Sequence, residues 1–506
     1  MAGEVTRAEI AALLAVAQDH AFAQPAGSQL RATVLGQRLA GDAGLDAPAR
    51  ATTWWTSALR FLGCTGHAFD MSVVFGDEIE MRAASMQADF ANPFDMMRLM
   101  LTHAGPGTAG VARLRSVMAV LAGGKQAAEM NFRAACEVAD LFAKRLDLDE
   151  ATRASLGASF ERWNGRGLPS GAKGDSIPLP MRVAQLSQEL EVLARIEGVE
   201  AALSIIRRRR GKAYDPMLAD VALGHARAWF DDIETVDPWD AALACAPREA
   251  SLTAEAAHDA LLVLADFSDL KSPWLGGHSR AVAELAAVAG GRDAELAALV
   301  HDLGRVAVPN TVWDKAAPLT RDERDRAEQH TLVTDQLLRR VAFTAPLAEI
   351  ACAAHERVDG SGYHRRVGGA SLGAAARVVA AADCYQAMTS ERPYRPARSR
   401  ADAADELRKM AVNGQLDGEA VEAVLAAAGH RRAARPPLPG GLTAREAEVL
   451  RLLALGCTTR EVADRLVITP KTADHHVQHI YGKIGVSTRG AAALFAIEHG
   501  ILPAEV

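Results

Sequence analysis

At 506 residues the chain is too long for one hydrophobic core, so about two to four domains are expected. Hydrophobic residues make up 49% and charged residues 24%, the ordinary balance of a soluble globular protein. A net charge of −7 argues against a strongly basic nucleic-acid binder, although it averages over domains.

Helix should dominate, because Ala, Leu, Arg and Glu are abundant and aromatics are only 5%. The expected fold class is all-α. Six cysteines, Cys64, Cys136, Cys245, Cys352, Cys384 and Cys457, are scattered without a Cys-x-x-Cys pair, which fits reduced thiols in a cytosolic protein. The N-terminus carries no signal-peptide pattern, and no uncharged apolar run is long enough to cross a bilayer. A cytoplasmic location with no membrane partner is expected.

Residues 1–248 read as a succession of helices with apolar residues at three- and four-residue spacing. The basic run Arg207-Arg-Arg-Arg-Gly-Lys212 reads as a solvated helix end.

Residues 249–430 contain Leu299-Val-His-Asp-Leu-Gly-Arg305, an apolar helical run ending in a His-Asp doublet. Adjacent side chains on a helix point about 100° apart, so the pair can flank one cation or hand one carboxylate to two. Gly290-Gly291 breaks the helical pattern midway between His278 and His301. A helical hairpin with arms of about 12 residues, ~18 Å each, would return His278 to the side of His301. His330, His355 and Asp383 follow, each in or at the end of a helical segment. Thr320-Arg-Asp-Glu323 is a capping box for the helix of His330, and Pro346 suits the first turn of the helix leading to His355.

These residues carry a resemblance. His278-Ser-Arg, His301-Asp-Leu-Gly-Arg, His330, Ala354-His-Glu-Arg-Val-Asp-Gly-Ser-Gly-Tyr-His364 and Ala382-Asp-Cys-Tyr-Gln-Ala-Met-Thr-Ser390 resemble the HD-GYP branch of the HD-domain metal-dependent phosphohydrolases over about Leu252 to Gly429. The resemblance implies a helical domain in which His278, His301, Asp302, His330, His355 and Asp383 bind divalent transition metal, iron or manganese, as one or two ions. It implies hydrolysis of a phosphodiester, with Asp302 bridging and Arg305 clamping phosphate. Gly360, Gly362 and Tyr363 are expected at the phosphate or substrate, the glycines through a tight turn with exposed backbone N–H groups. Four positions depart from the family pattern: Ala354 replaces a ligand His, Arg305 a Lys, His364 a Pro, and Trp274 a Glu ligand. The departures remove a third metal, leave the second one ligand short, and withhold cyclic di-GMP specificity.

The first half repeats the second in degenerate form. Phe160-Glu-Arg-Trp-Asn-Gly-Arg-Gly-Leu-Pro169 lies over His355-Glu-Arg-Val-Asp-Gly-Ser-Gly-Tyr-His364, Arg182 falls on Arg377, and Gln188 on Asp383. Leu62-Gly-Cys-Thr-Gly66 is laid over Val300-His-Asp-Leu-Gly304, so that Gly63 and Cys64 replace the doublet. Residues 1–248 are therefore expected to form an HD-GYP-like helical bundle unable to hold metal.

Residues 431–441 are a Pro/Gly/Arg linker. Residues 442–506 are punctuated by capping boxes at Thr443-Ala-Arg-Glu446 and Thr458-Thr-Arg-Glu461, a Thr469-Pro470 start, and stops at Gly456 and Gly485, giving four short helices. Leu442-Thr-Ala-Arg-Glu-Ala-Glu-Val-Leu450, Arg460-Glu-Val-Ala-Asp-Arg-Leu466, Thr469-Pro-Lys-Thr472 and Ile484-Gly-Val-Ser-Thr-Arg489 resemble the LuxR-type helix-turn-helix domain. That resemblance implies DNA as a partner, with residues 470–484 as recognition helix. Lys471 and Thr472 would hold phosphates, and Asp474, His475 and Gln478 would face bases. Acids and bases are about balanced here, so a homodimer is expected for tight binding.

Two readings stay open. In one the chain is a LuxR-type transcriptional regulator carrying a metal-dependent phosphohydrolase for a nucleotide or phosphodiester; in the other a non-catalytic metal and nucleotide sensor switches DNA binding.

Overall fold

The computed structural model describes residues 4–88, 92–103, 110–429 and 438–501. Among them every regular element is helical, as the composition implies. The chain divides into two compact units, one over Val5–Leu252 and the other containing Thr253–Val506.

In the first unit α1 (Arg7–Ala21), α2 (Ser28–Asp42) and α3 (Ala47–Ala58) lead into a 3₁₀ turn, Leu62–His67. Then come α4 (Ala68–Phe75), α5 (Glu78–Ser85), α6 (Pro93–His103) and the long α7 (Gly110–Arg145). They are followed by α8 (Glu150–Leu156), α9 (Leu179–Glu197), α10 (Val199–Arg209), α11 (Pro216–Ile233) and α12 (Pro238–Ala244). Leu35, Leu39, Trp54, Leu59, Leu62 and Phe142 are fully buried between these helices. The basic run ends α10, with Arg207 and Arg208 exposed, as expected for a solvated helix end.

The second unit opens with α13 (Ala254–Asp269), then α14 (His278–Gly290) and α15 (Arg292–Val300), followed by a 3₁₀ turn, Leu303–Ala307. Gly291 separates α14 from α15 at φ 81°, a conformation that costs glycine little, and the expected hairpin forms there. Next come α16 (Asn310–Trp313), α17 (Arg321–Leu338), α18 (Ala345–Ala351), α19 (Ala374–Thr389), α20 (Arg400–Val412) and α21 (Gly418–Ala428). Thr320 caps α17 in a complete capping box.

Internal geometry matches between the units. Asp19 accepts from the backbone N–H groups of Gly27 and Gln29 at 2.8 and 3.0 Å, while Asp269 accepts from that of Ser279 at 2.8 Å. Gly27 and Gly277, both with positive φ, start α2 and α14. Glu161 accepts from Ser170 N and Glu356 from Arg365 N, each at 2.8 Å. Arg182 pairs with Asp215 and Arg377 with Asp417.

One register differs from the sequence expectation. A Cβ on Gly63 would lie 1.8 Å from Ala135 O and 2.7 Å from Ala139 N; on Gly304 it would lie 2.0 Å from His330 O and 2.7 Å from Thr334 N. Gly63, not Gly66, is therefore the counterpart of Gly304. Arg60 and Phe61 stand where His301 and Asp302 stand, and Ala135 stands where His330 does. Two glycines three residues apart fit the sequence equally well, and only packing against the facing helix separates them.

Residues 444–498 form α22 (Ala444–Ala454), α23 (Thr459–Leu466), α24 (Pro470–Ile484) and α25 (Arg489–Glu498). Thr443 and Thr458 cap their helices in full capping boxes, and Thr469 accepts from Thr472 N. Gly485 ends α24 in the left-handed conformation; α23 ends the same way on Val467, without a glycine.

Candidate metal centre and nucleic-acid interface

The hairpin sets the His278 and His301 ring centroids 5.4 Å apart. His330 comes from the middle of α17, His355 from the turn after α18, and Asp383 from α19. All five, with Asp302, are buried. The structure thus brings together the six residues read as ligands.

Asp302 sits at the centre, fully buried. Its Oδ2 lies 3.4 Å from His278 Nε2 and 3.1 Å from His301 Nε2; its Oδ1 lies 3.2 Å from His330 Nε2 and 3.3 Å from His355 Nε2. Asp383 Oδ1 is 3.2 Å from His278 Nε2, and its Oδ2 is 3.5 Å from His355 Nδ1. One carboxylate therefore presents each oxygen to a different histidine pair.

The rings are held with Nε2 facing inward. His301 Nδ1 donates to Ala298 O at 2.7 Å, His330 Nδ1 to Ala327 O at 2.5 Å, and His278 Nδ1 to Gln386 Oε1. Such bonds fix the tautomer that leaves Nε2 as a ligand lone pair. Accordingly Nε2 of His278, His301 and His330, and Oδ2 of Asp302, make no hydrogen bond of good geometry despite full burial. Buried polar atoms left unsatisfied around one point are what a cation would satisfy, so these residues fit a metal. Among the described residues, the two groups with ligand atoms close enough to share an ion are His278, His301 and Asp383, and His301, Asp302 and His355.

Electrostatics agree. Burial opposes charge on Asp302, but Arg305 and the histidines hold it well below the usual carboxylate range. Burial likewise opposes a charged His301, yet Asp302 and Asp383 raise it to about 10.

Arg305 is buried, its Nε 2.8 Å from Asp302 Oδ2 and its guanidinium 4.8 Å from the centre of the Trp313 ring. Tyr363 stacks on His355 at 5.0 Å with planes 9° apart, placing it against the cage. Three N–H groups of the glycine loop are tied down within the loop and its flanks. Gly360 N donates to Arg357 O, Ser361 N to Asp359 Oδ1, and Tyr363 N to His355 O. Gly362 is required because a Cβ there would lie 2.4 Å from Glu356 Cα. Both glycines shape the turn that positions His355 and Tyr363.

Three contributors were absent from the sequence reading: Gln386, Trp313 and Arg392. Gln386 follows Asp383 by three residues on one helix face, a spacing that could have found it. Arg392 is buried, with Nη2 3.5 Å from His278 Nδ1 and Nη1 donating to Trp274 O. Trp274, in the place of a third-metal ligand, thus offers its carbonyl to an arginine.

In the first unit the six positions hold Ser28, Arg60, Phe61, Ala135, Phe160 and Gln188. Phe61 and Phe160 rings, 6.4 Å between centroids, fill the place of Asp302 and His355.

In the last four helices Lys471, Thr472, Asp474, His475 and Gln478 are all exposed on α24. Ala473, Val477 and Ile480 form its buried face. All five sequence-derived DNA positions are thus available to solvent.

Residues 263–420 match the HD domain family, and residues 441–496 match the bacterial regulatory proteins of the luxR family. The chain thus carries an HD domain followed by a luxR-family domain. It is similar to 3'3'-cGAMP-specific phosphodiesterase 3 of Vibrio cholerae, 27% identical over 402 residues, covering 77% of this chain and 87% of that protein. It is also similar to a cyclic di-GMP phosphodiesterase response regulator of Xanthomonas campestris, 40% identical over 105 residues, 20% of this chain and 28% of that one. A crystal structure of the cyclic GMP-AMP-specific phosphodiesterase V-cGAP3 of V. cholerae aligns with TM-score 0.59 at 23% identity, covering 85% of this chain and 99% of that one. At 85% coverage the shared fold must extend into both units. No helix among the described residues is long and apolar enough to cross a membrane.

Proposed function

We propose that the second unit is a metal-dependent phosphodiesterase acting on a cyclic dinucleotide, joined to a DNA-binding reader, so that the chain is a transcriptional regulator with its own nucleotide-hydrolysing domain. The observation that carries this is the division of the Asp302 carboxylate between two histidine pairs, the arrangement a bridging ligand for two cations needs. His278, His301, Asp302 and Asp383 would hold one iron- or manganese-type ion, and Asp302, His330 and His355 a second. Ala354 leaves the second group with one protein ligand fewer. Bound ions supply Lewis acidity toward a phosphoryl oxygen and make water a better nucleophile at neutral pH.

The protein side of the reaction is positional. Asp302 fixes the spacing of the two groups, and the carbonyls behind His301 and His330 keep both rings from turning. Arg305 pairs with Asp302; with that carboxylate committed to a metal, its planar fork would be free for a phosphate oxygen, which a Lys point charge would not match bidentately. The relatives' substrates, 3'3'-cGAMP and cyclic di-GMP, support a cyclic dinucleotide as the class.

The reader would dock α24 in the major groove, with Lys471 and Thr472 on phosphates and Asp474, His475 and Gln478 toward base edges, working as a homodimer in the cytoplasm. The Val5–Leu252 unit is a degenerate HD-GYP-like copy in this reading, and residues 431–441 the linker. The test is metal analysis of the purified full chain followed by incubation with 3'3'-cGAMP and cyclic di-GMP. Linear dinucleotide product from wild type, and none from His301→Ala or Asp302→Ala with their metal lost, is expected. A metal-loaded wild type that binds but never cleaves either compound would replace the enzyme reading with the sensor.

A further inference from the structure

The first unit lost its ligands without becoming apolar. Arg60, in the place of His301, is 5% exposed. Its Nη1 donates to Gln188 Oε1 at 2.9 Å and its Nη2 to Ser159 O at 3.3 Å, whereas Nε has no acceptor. A second guanidinium, acting like Arg60 on the Cys64 thiol, comes from a segment with no counterpart: where the second unit has only the four-residue α16 between its 3₁₀ turn and α17, the first has α4, α5 and α6 before α7. Arg82 of α5 is 3% exposed, donates through Nη2 to Cys64 O at 2.6 Å, and leaves Nε and Nη1 without acceptors.

Both cations rest on aromatic faces, Arg60 over Phe61 at 5.0 Å and Arg82 over Phe22 at 5.3 Å, with those rings 4.6 Å apart. A ring face attracts the charge but does not accept the in-plane N–H groups. Nearby acid is already committed: Glu189 is shared by Arg162, Arg209 and the Tyr214 hydroxyl. Glu78, which lies near enough to Arg82 to act on it, is engaged as well. Burial pushes the Cys64 thiol up to about 11, so it supplies no anion at neutral pH. On the same 3₁₀ turn Thr65 Oγ1 and His67 Nδ1 also lack partners.

We propose that the first unit binds a phosphate-type anion, the phosphoryl group of a nucleotide or phosphodiester, between Arg60 and Arg82, without metal and without hydrolysing it. Planar guanidinium forks with free N–H groups suit tetrahedral oxyanions, and buried N–H groups left without acceptors are costly until one arrives. Arg60 supplies as a fixed cation what ions supply in the other unit. Phe61, in the place of Asp302, leaves nothing to hold a hydrolytic metal.

The experiment uses the full chain after chelation, so that the metal cage of the second unit is empty, titrated with inorganic phosphate and with 3'3'-cGAMP by calorimetry. About one equivalent of at least one probe per chain is expected to bind, and the tighter of the two identifies the source of the phosphoryl group. Arg82→Met should weaken binding by about 10- to 100-fold, the worth of lost charge-assisted hydrogen bonds, and His301→Ala should not weaken it. Arg82 lies on an added helix, so that variant should keep its helical circular dichroism and the metal content of the second unit even where Arg60→Met does not. No binding of either probe by chelated wild type overturns the proposal, as does binding that survives Arg82→Met or depends on His301. Loss of hydrolysis in the metal-loaded chain bears on the second unit alone.

Discussion

Gln386 accepts the Nδ1–H of His278 across the cage, one turn along α19 from Asp383, and its own amide donates to Ser390 Oγ at 2.9 Å. An uncharged side chain thereby sets which nitrogen of His278 faces inward. Removing that acceptor frees the ring to turn or change tautomer without touching a ligand atom. Gln386→Leu should lower metal affinity by about 10- to 100-fold, as losses behind ligand histidines do, with helical content unchanged. Gln386→Glu keeps an acceptor and should retain metal. Chelator competition followed optically measures both; equal affinity in Gln386→Leu and wild type would show that the bond does not orient the ring.

The exposed face of α24 predicts separable DNA effects. Lys471→Ala should weaken binding to every sequence and lower the salt dependence by about one unit of slope, as one lost phosphate contact does. His475→Ala should relax sequence preference at a cost of about 1–3 kcal/mol. His475 also sits 4.7 Å from the His479 ring, so the change loses one ring contact besides a base contact. Titrating operator and random DNA at several salt concentrations distinguishes the two. Equal losses on specific and random DNA for His475→Ala would remove it from base readout.

Much of this architecture was legible because its signals are local. The hairpin of His278 and His301 follows from counting helix turns to Gly291, and the caps at Thr320, Thr443 and Thr458 follow from a Glu three residues on. The fold class followed from composition, since few aromatic residues and much Ala leave helices as the economical solution. What was not legible depends on contacts between distant segments. Trp313 and Arg392 are unremarkable in sequence and become part of the cage only when α16 and the turn after α19 pack beside it. The packing need for Gly362 was equally hidden, since Gly-x-Gly does not reveal that the backbone of residues 355–357 occupies the place of its side chain.

The reader domain offers a pH test. Glu446 is 4% exposed, and its Oε2 accepts from Thr443 N at 2.7 Å and Lys483 Nζ at 2.6 Å. Burial opposes its charge, but Lys483 and Thr443 prevail and hold it at about 2. A carboxylate depressed in the folded state stabilises above its unfolded value, about 4.3, and that contribution is lost as pH falls through the folded value. Glu446→Gln should therefore cost the reader about 1–2 kcal/mol at pH 7, the worth of a cap and a charged hydrogen bond. The gap from wild type should close between about pH 4 and pH 2. Thermal melts across that range measure it, and a gap independent of pH would mean Lys483 does not stabilise the charged form.

Gly63 and Gly304 give the most direct test of the correspondence between the two units. Each lies against one turn of a facing helix, α7 or α17, so closely that a methyl group would overlap a carbonyl oxygen at 1.8 or 2.0 Å. Backbone cannot yield as a flexible side chain can, so Gly304→Ala should destabilise the second unit by at least about 1–3 kcal/mol, the usual cost of overpacking. Because the carbonyl it would strike belongs to His330, the same change should displace that ligand and lower metal content before the unit unfolds. Gly63→Ala should destabilise the first unit comparably, against Ala135, while leaving metal content unchanged. Gly224, in α11 with nothing within 4 Å of an added Cβ, supplies the control: Gly224→Ala should be neutral or stabilising by up to about 1 kcal/mol through helix propensity. Denaturant titrations together with metal analysis read all three. A tolerated Gly63→Ala, with the cost falling on Gly66→Ala instead, would restore the register in which Gly63 and Cys64 stand for the His-Asp doublet, and would remove Arg60 from the place of His301.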